Sequence, residues 1–408
     1  MEFTLELTGI GWEQEILDYC KFSNILPTNT KARRLGYLKL ILGLFEDSDY
    51  YPISHFAQKI EISAQEINTF LSQYRNHRGK IALTRNGASS RPYIELATGL
   101  GSIVEVNRAY MLGKYSKVYR AISTQIHNDR LGTELIQSRQ PVNEPVTQLD
   151  FLDSENVLVG SNPFRLNLFE QVYFLYHILT SDALYLWTLL DIIGTNTLTE
   201  RGIREKFQDC VLDELNIQIG SNCLSSREKR NALTVAKRIR SWEKADIYLE
   251  HITLPRLNWL LDLDLLDTEC FQQRLIKLTD SGRKLLLTLT RFYQFTSEKS
   301  TVINFILEKS YFRIVDFIYD LGCTNLSGSD TDAIEQYILE SFLYFKTAAP
   351  NSIAASQAIF YSCYKSLLER HCIVEVENMK KLLLGQHFPA YGLDWYKREN
   401  DGSLQRRK

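Results

Sequence analysis

Side-chain chemistry needs carboxylates, imidazoles or thiols brought close together, and few positions in this chain offer that at short spacing. Asp262-Leu263-Asp264 sets two carboxylates two residues apart, a pair able to attract a divalent cation. No lysine stands near it at the spacing of a nuclease set, so the pair reads as a charged helix face. Glu375-Val376-Glu377 with Lys380 has a carboxylate–lysine make-up, again at the wrong spacing. His371 adjoins Cys372, but sequence adjacency supplies no thiol–imidazole geometry. The seven histidines (His55, His77, His127, His177, His251, His371 and His387) otherwise stand alone.

The known catalytic signatures are missing. There is no G-x-x-x-x-G-K-S/T phosphate loop, no H-E-x-x-H or paired C-x-x-C zinc spacing, and no G-x-S-x-G elbow. Gly9-x-Gly11 and Gly99-x-Gly101 lack the third glycine of a dinucleotide loop. The expectation is therefore a non-enzymatic protein with no cofactor and no metal. A divergent nuclease built on Asp262 and Asp264 is the catalytic alternative, since sites assemble in space rather than in sequence.

Residues suited to gripping nucleic acid are more evident. Ser63–Asn76 has the pattern of an amphipathic helix, with Ser63 and Glu66 forming a capping box and Ile67, Phe70, Leu71 and Tyr74 on one face. Its other face carries Gln65, Asn68, Thr69, Ser72, Gln73 and Arg75, which are side chains that reach base edges and phosphates. Arg75, Arg78, Lys80, Arg85 and Arg91 then give five cations with no acid between them. Lys80–Thr84, the polar turn from Arg85 to Arg91, and Pro92–Ala97 read as a β-hairpin whose charge favours phosphate. The alternative is a solvated surface.

A second basic stretch lies in Ser225–Glu250, which reads as one long helix. Arg227, Lys229, Arg230, Lys237, Arg238, Arg240 and Lys244 outnumber Glu228 and Glu243. At 100° per residue these charges do not form one stripe, although Lys229, Arg230 and Lys237 share a broad face with Lys244 further along. Here too a solvated helix face is the alternative.

The elements that must hold these groups are mostly helical. The 408 residues suggest two to four domains, and 44% hydrophobic with 24% charged residues is ordinary for a globular chain. A net charge of −2 excludes a protein that coats nucleic acid indiscriminately. Seven cysteines without close pairing point to a reducing compartment. No signal peptide opens the sequence, and the apolar run Ala183–Gly194 is too short to span a bilayer, so the expectation is a cytoplasmic protein without a membrane partner.

Ser123–Asn162, with Pro141 and Pro145, reads as a connector, and Thr296–Thr301 as a second break. These divide the chain into residues 1–123, a linker 124–162, a helical middle module 163–297 and a C-terminal module 298–408. Asn167–Leu179 and Asp182–Ile193 are two strongly apolar helices, suited to a core or to a protein partner or second copy. In the last module Asp332–Phe345 turns Ile334, Tyr337, Ile338, Phe342 and Phe345 inward, Ser352–Glu369 is helical, and Cys372–Val376 reads as a strand. An aromatic turn follows, and the basic Arg406-Arg407-Lys408 closes the sequence.

Two stretches carry a resemblance. Leu35–Phe45 and Ile53–Ile60 read as helices, with Glu61-Ile62 as a two-residue turn into Ser63–Asn76. With the hairpin, residues 35–97 resemble the winged-helix form of the helix-turn-helix superfamily. The resemblance implies a helix reading the major groove and a wing tracking the backbone. Leu278-Thr279-Asp280-Ser281-Gly282-Arg283-Lys284-Leu285-Leu286 is similar to the L-T-x-x-G-x-x-L-L element of MarR-like and PadR-like winged-helix proteins. There Thr279 or Asp280 caps a helix, Gly282 allows close packing, and Leu285 and Leu286 enter the core. The reader of this second module would be Leu254–Leu266, which bears Asp262 and Asp264 and one cation, Arg256. Phosphate repels such a face, so this module reads as structural or protein-binding.

The expected fold is mainly α with short β-hairpin wings: two to three winged-helix modules joined by helical segments. The expected function is double-stranded DNA binding with helix 63–76 as reader and hairpin 80–97 as wing. The alternative is a non-catalytic adaptor, similar by architecture to accessory subunits of bacterial anti-phage or mobile-element systems.

Overall fold

The computed structural model describes residues 16–19, 21–22, 25–26, 28–46, 49–72, 80–128, 165–221, 224–242, 245–296, 298–327, 330–345, 351–385, 387–396 and 401–407, without the side chains of 17, 18, 46, 66–72 and 124–128. These residues are mainly helical, with short strands in small sheets.

The N-terminal segment runs through α1 (Gly36–Gly43), β1 (Tyr50–Pro52), α2 (Ile53–Ser72), α3 (Arg91–Gly99), β2 (Ile103–Val106), β3 (Ala109–Leu112) and α4 (Lys114–Asn128). Its sheet has the order β1-β3-β2, antiparallel throughout. The centre is α5 (Leu168–Ile193), capped by a box in which Asn167 and Glu170 exchange side-chain and backbone bonds. Asp182 breaks its helical dihedrals, with φ −147° and ψ 23°. The sequence divides its two apolar helices at that same residue. Asp182 is fully buried and accepts from Arg256 Nε at 2.5 Å, Arg256 Nη2 at 2.6 Å and the backbone N of Leu26 at 2.9 Å. Removing either charge would strand the other in the core, at a cost of about 3–5 kcal/mol.

After α5 come β4 (Leu198–Thr199), α6 (Glu200–Gly220), α7 (Ser226–Arg240), α8 (Ala245–Asp262), α9 (Thr268–Gln272), β5 (Leu275–Ile276) and α10 (Asp280–Thr296). β4 pairs with β5, and Leu266 bridges to Leu278. The remainder comprises α11 (Lys299–Lys309), α12 (Tyr311–Tyr319), β6 (Thr324–Asn325), α13 (Thr331–Phe345), β7 (Ser352–Ala354), α14 (Ala355–Arg370), β8 (Cys372–Ile373), α15 (Val376–Leu384), β9 (Tyr391–Tyr396) and β10 (Asp401–Arg406). Its sheet order, β7-β10-β9, matches that of the N-terminal sheet. Both ends of the chain thus follow helix, strand, two helices and a hairpin, with the last strand in the middle of the sheet, although at the C-terminal end β8, paired with β6, stands between the two helices.

Several expectations are corrected. Glu61-Ile62 is no turn and Ser63 no cap, because Ile53–Ser72 is one helix. Residues 80–97 do not form a hairpin: 80–90 are loop and turns, and Pro92 sits in the first turn of α3, where its missing N–H has no helical partner to lose. The hairpin is Ile103–Leu112, turning through Asn107 (φ 49°) and Arg108 (φ 63°) in the manner of a type I′ turn. Ser225–Glu250 is not one helix, since α7 ends at Arg240 and α8 starts at Ala245. The supposed reader 254–266 is the later part of α8, which stops at Asp262. The strand beginning at Cys372 is two residues long, and Val376 already opens α15. Helix α4 carries regular structure to Asn128, and the rest of the connector through residue 162 lies outside the described residues.

The apolar helices 167–193 offer no face to a partner. Of the 26 residues in α5, 22 are buried among the other helices, which is where their Leu, Phe, Tyr and Trp side chains are best shielded from water. The Gly282 reading agrees with the geometry. A Cβ there would meet the carbonyl oxygen of Leu265 at 2.2 Å, and Thr279 Oγ1 accepts from Gly282 N at 3.1 Å. Leu285 is buried and Leu286 half-buried. The inward five of α13 are all buried.

Candidate nucleic-acid interface

Of the five N-terminal cations, Lys80, Arg85 and Arg91 are among the described residues, and they do not lie on a hairpin. Glu61, fully buried on α2, draws the loop after α2 onto the helix. Its carboxylate accepts from Thr84 N at 2.7 Å, Thr84 Oγ1 at 2.9 Å, Ser89 N at 3.0 Å and Ser90 N at 3.2 Å. Ser90 Oγ donates to Ala57 O at 2.9 Å. Gly87, at φ +68°, lies so close to α2 that a Cβ would meet that of Ala57 at 2.4 Å. Residues 80–90 are thus folded against their own chain.

Lys80 and Arg85 are exposed on that loop, and Arg91 is exposed at the start of α3, its Nη2 donating to Asn86 O at 3.4 Å. Gln65 is exposed and donates back to Glu61 O. Asn68, Thr69 and Ser72 lie on α2 with side chains that are not described, and Gln73, Arg75 and Arg78 lie outside the described residues. The helix preceding the true hairpin, α3, exposes Arg91, Glu95 and Thr98, so an acid interrupts its outer face. The hairpin itself exposes Val104, Glu105, Val106, Asn107 and Arg108.

Helix α7 is built differently. Ser225 and Glu228 form a capping box, which starts the helix one residue before Arg227. Ala232, Ala236 and Ile239 are its buried positions, packed toward α6. These two alanines and the isoleucine, at i, i+4 and i+7, share one face and fix which side of the helix meets solvent. Directly opposite that stripe, Arg227, Arg230, Lys237 and Arg238 fall within an arc of about 100°. All four are exposed, with the exposed Thr234 and Ser241 between and beyond them. None of the four forms an ion pair among the described residues; Arg230 Nε donates to Ser226 O at 3.2 Å.

The helix thus carries six cations against one acid, Glu228, which the capping box and the backbone N of Phe22 occupy. The charges do form a stripe, contrary to the sequence reading. Of the patch Lys229, Arg230, Lys237 and Lys244, Arg230 and Lys237 are on it. Lys229 is half-buried at its flank and Lys244 lies outside the described residues. Arg240, on the same flank as Lys229, donates to Asn216 Oδ1 at 2.9 Å.

Where α7 ends, Arg238, Ser241, Trp242 and Tyr248 line a hollow of about 230 Å³. The Trp242 and Tyr248 rings stack with centroids 5.7 Å apart and planes 19° apart. The sequence reading missed these aromatics, along with Arg227 and Arg238 as members of a stripe.

The residues weighed for catalysis are used in packing. Asp262 takes Arg34 Nη2 at 2.8 Å and Leu35 N at 2.8 Å, and burial pushes its carboxyl up to about 6 against the pull of Arg34. Asp264 accepts from Gln171 Nε2 at 2.8 Å. Glu375 accepts from the backbone N of Phe312 and Arg313 at the start of α12, and burial raises it to about 7. Glu377 pairs with Lys309 and Lys380 with Glu308, so this set is divided between two ion pairs. Arg256, the one cation of the supposed second reader, is buried on Asp182. Among the described residues no group of three or more His, Cys, Asp and Glu could hold a metal ion, and no helix is long and apolar enough to cross a membrane. Comparison with protein-family models, curated proteins and solved structures finds no match to this chain.

Proposed function

We propose that the protein is a non-enzymatic DNA-binding protein that grips the duplex backbone through α7. The observation carrying this reading is the solvent-facing row Arg227, Arg230, Lys237 and Arg238, set opposite the packing stripe and free of acids on its own arc. Arginine and lysine on a rigid helix hold phosphates and release counterions as they do so. The helix–strand–helix–helix–hairpin order of the N-terminal segment, repeated at the C-terminal end with β8 between the two helices, supports reading those segments as winged-helix modules. In this reading neither segment reads bases itself.

The test is duplex binding by fluorescence anisotropy across a salt series. Changing Arg227, Arg230, Lys237 and Arg238 together to Ala should lower affinity about a hundredfold and flatten the log–log salt slope by about 3–4. Changing Lys80, Arg85 and Arg91 to Ala should alter affinity by less than about threefold. Equal losses from both sets would return the duplex to the N-terminal region.

One observation favours an adaptor role as a second reading. On the β1-β3-β2 sheet, Tyr50, Met111 and Val104 align in one row and Pro52, Ala109 and Val106 in the next. Tyr50, Val104 and Val106 are exposed at 60%, 39% and 42%. A self-complex in sedimentation that Val104→Glu with Val106→Glu dissolves would support it; an unchanged monomer in both would remove it.

A further inference from the structure

The hollow at the end of α7 has a composition that a backbone-gripping helix does not need. Ser241 closes α7, its N donating to Lys237 O at 3.1 Å and its Oγ to Arg238 O at 2.9 Å. The next helix starts at Ala245, and its Tyr248 lies beside Trp242. Tyr248 is 48% exposed, Trp242 is half-buried and Arg238 is exposed. One guanidinium from the phosphate-gripping row therefore shares its surroundings with two flat π systems and a hydroxyl.

Aromatic faces take up nucleobases by stacking, and an arginine beside them holds the adjoining phosphate. A base inside a duplex has both faces covered by its neighbours and cannot use such a platform. An unpaired base can. The volume, about 230 Å³, lies below that of sites for drug-sized ligands and suits one ring system rather than a base pair.

We infer that the α7–α8 corner holds one unpaired base of a single-stranded extension, with Arg238 on its phosphate, so that the protein prefers duplex DNA with a frayed or extended end over a blunt duplex. This rests on the reading of α7 as the DNA-gripping surface. Trp242 or Tyr248 supplies the stacking face, and the duplex runs along Arg227, Arg230 and Lys237.

The experiment compares a blunt duplex with the same duplex carrying a short single-stranded extension, using the full chain and anisotropy. The extension also carries the fluorescent adenine analogue aminopurine. The native protein should bind the extended duplex about tenfold more tightly and quench the analogue. Trp242→Leu with Tyr248→Leu should bring the two affinities together and abolish quenching, while blunt-duplex affinity moves by less than about twofold. Tyr248→Leu alone, at an exposed position, tests the same point if the double variant does not fold, and should lower the preference and the quenching together. Equal binding of both duplexes by the native protein overturns this inference and leaves the α7 reading standing. Quenching that survives in the folded variants overturns it as well. Failure of the native protein to bind either duplex overturns the α7 reading, and this one with it.

Discussion

Two stretches of this chain each carry five surplus positive charges, and residues 80–91 of the first are built differently from the second. Residues 75–91 hold five cations and no acid, and α7 holds six cations and one acid. In the first, a buried carboxylate on the neighbouring helix recruits backbone and hydroxyl donors of residues 84–90, so the loop is shaped by Glu61 rather than by its cations. In the second, the only acid is spent on capping, and the packing stripe Ala232, Ala236 and Ile239 turns four of the six cations outward together. Local charge therefore does not decide which side chains face solvent together. What the neighbouring element demands of the backbone does.

The largest effect that could break this contrast lies at Glu61. Replacing it with Ala strands several buried donors and should cost about 4 kcal/mol, read as a lowered midpoint in urea or heat. Duplex affinity, measured where the variant is still folded, should stay native. A loss of DNA binding at full folding would show that the 80–90 loop is part of the grip, and the two stretches would no longer differ in role.

Acid offers a second way to separate them. The His177 ring sits on α5 among Tyr173, Tyr115 and Tyr176, with centroids at 4.3, 5.5 and 5.5 Å, and burial lowers it from 6.5 to about 3. Between those values the unfolded chain binds a proton that the folded chain refuses. This contribution is harmless above pH 6.5 and destabilises as pH falls, by about 3 kcal/mol at pH 4. Asp262 and Glu375, raised by burial to about 6 and about 7, tilt the other way: the folded chain keeps their protons longer, so stability is lost as pH rises through that range. His177→Phe, which preserves the aromatic packing, should therefore be the more stable protein at pH 4 and near native at pH 7.5 in urea titrations. Tyr115 belongs to α4, so this ring contact ties the N-terminal segment to α5. A variant with the same acid dependence as the native chain would remove His177 as the cause.

Much of the helical frame was legible because its signals are local. Thr199 caps α6 by accepting from Gly202 N, Asp182 marks the break in α5, and Gly282 sits where only a missing Cβ fits. The contrast between the two basic stretches was not legible, for three physical reasons. Glu61 looks like a turn residue until the donors it serves, 23 to 29 positions later, are known. The true hairpin turns on Asn107-Arg108, a pair without the glycine that advertises a type I′ turn. Within one unbroken helix 225–250, Trp242 and Tyr248 would lie about 120° apart, and only the break between α7 and α8 stacks them. The charge stripe itself could have been found by anchoring the wheel on Ala232, Ala236 and Ile239 instead of on the lysines.

The smallest effect sharpens the contrast most, because it separates the two jobs of one residue. Glu228 accepts from Ser225 N at 3.0 Å and Ser225 Oγ at 2.6 Å, and its other oxygen accepts from Phe22 N at 3.2 Å. It is also the only negative charge on α7. Glu228→Ala should cost about 1 kcal/mol of stability through the lost box. Glu228→Gln keeps an acceptor and should cost roughly half that, since glutamine also serves in capping boxes. If α7 grips phosphate, both variants bind duplex about twofold more tightly at low salt, and the gain fades as salt screens it. Equal gains with unequal stabilities would assign the affinity change to charge and the stability change to capping. Affinity that tracks stability instead would mean that the helix acts through its packing, and that its cations are a solvated surface no different in kind from those of the N-terminal loop.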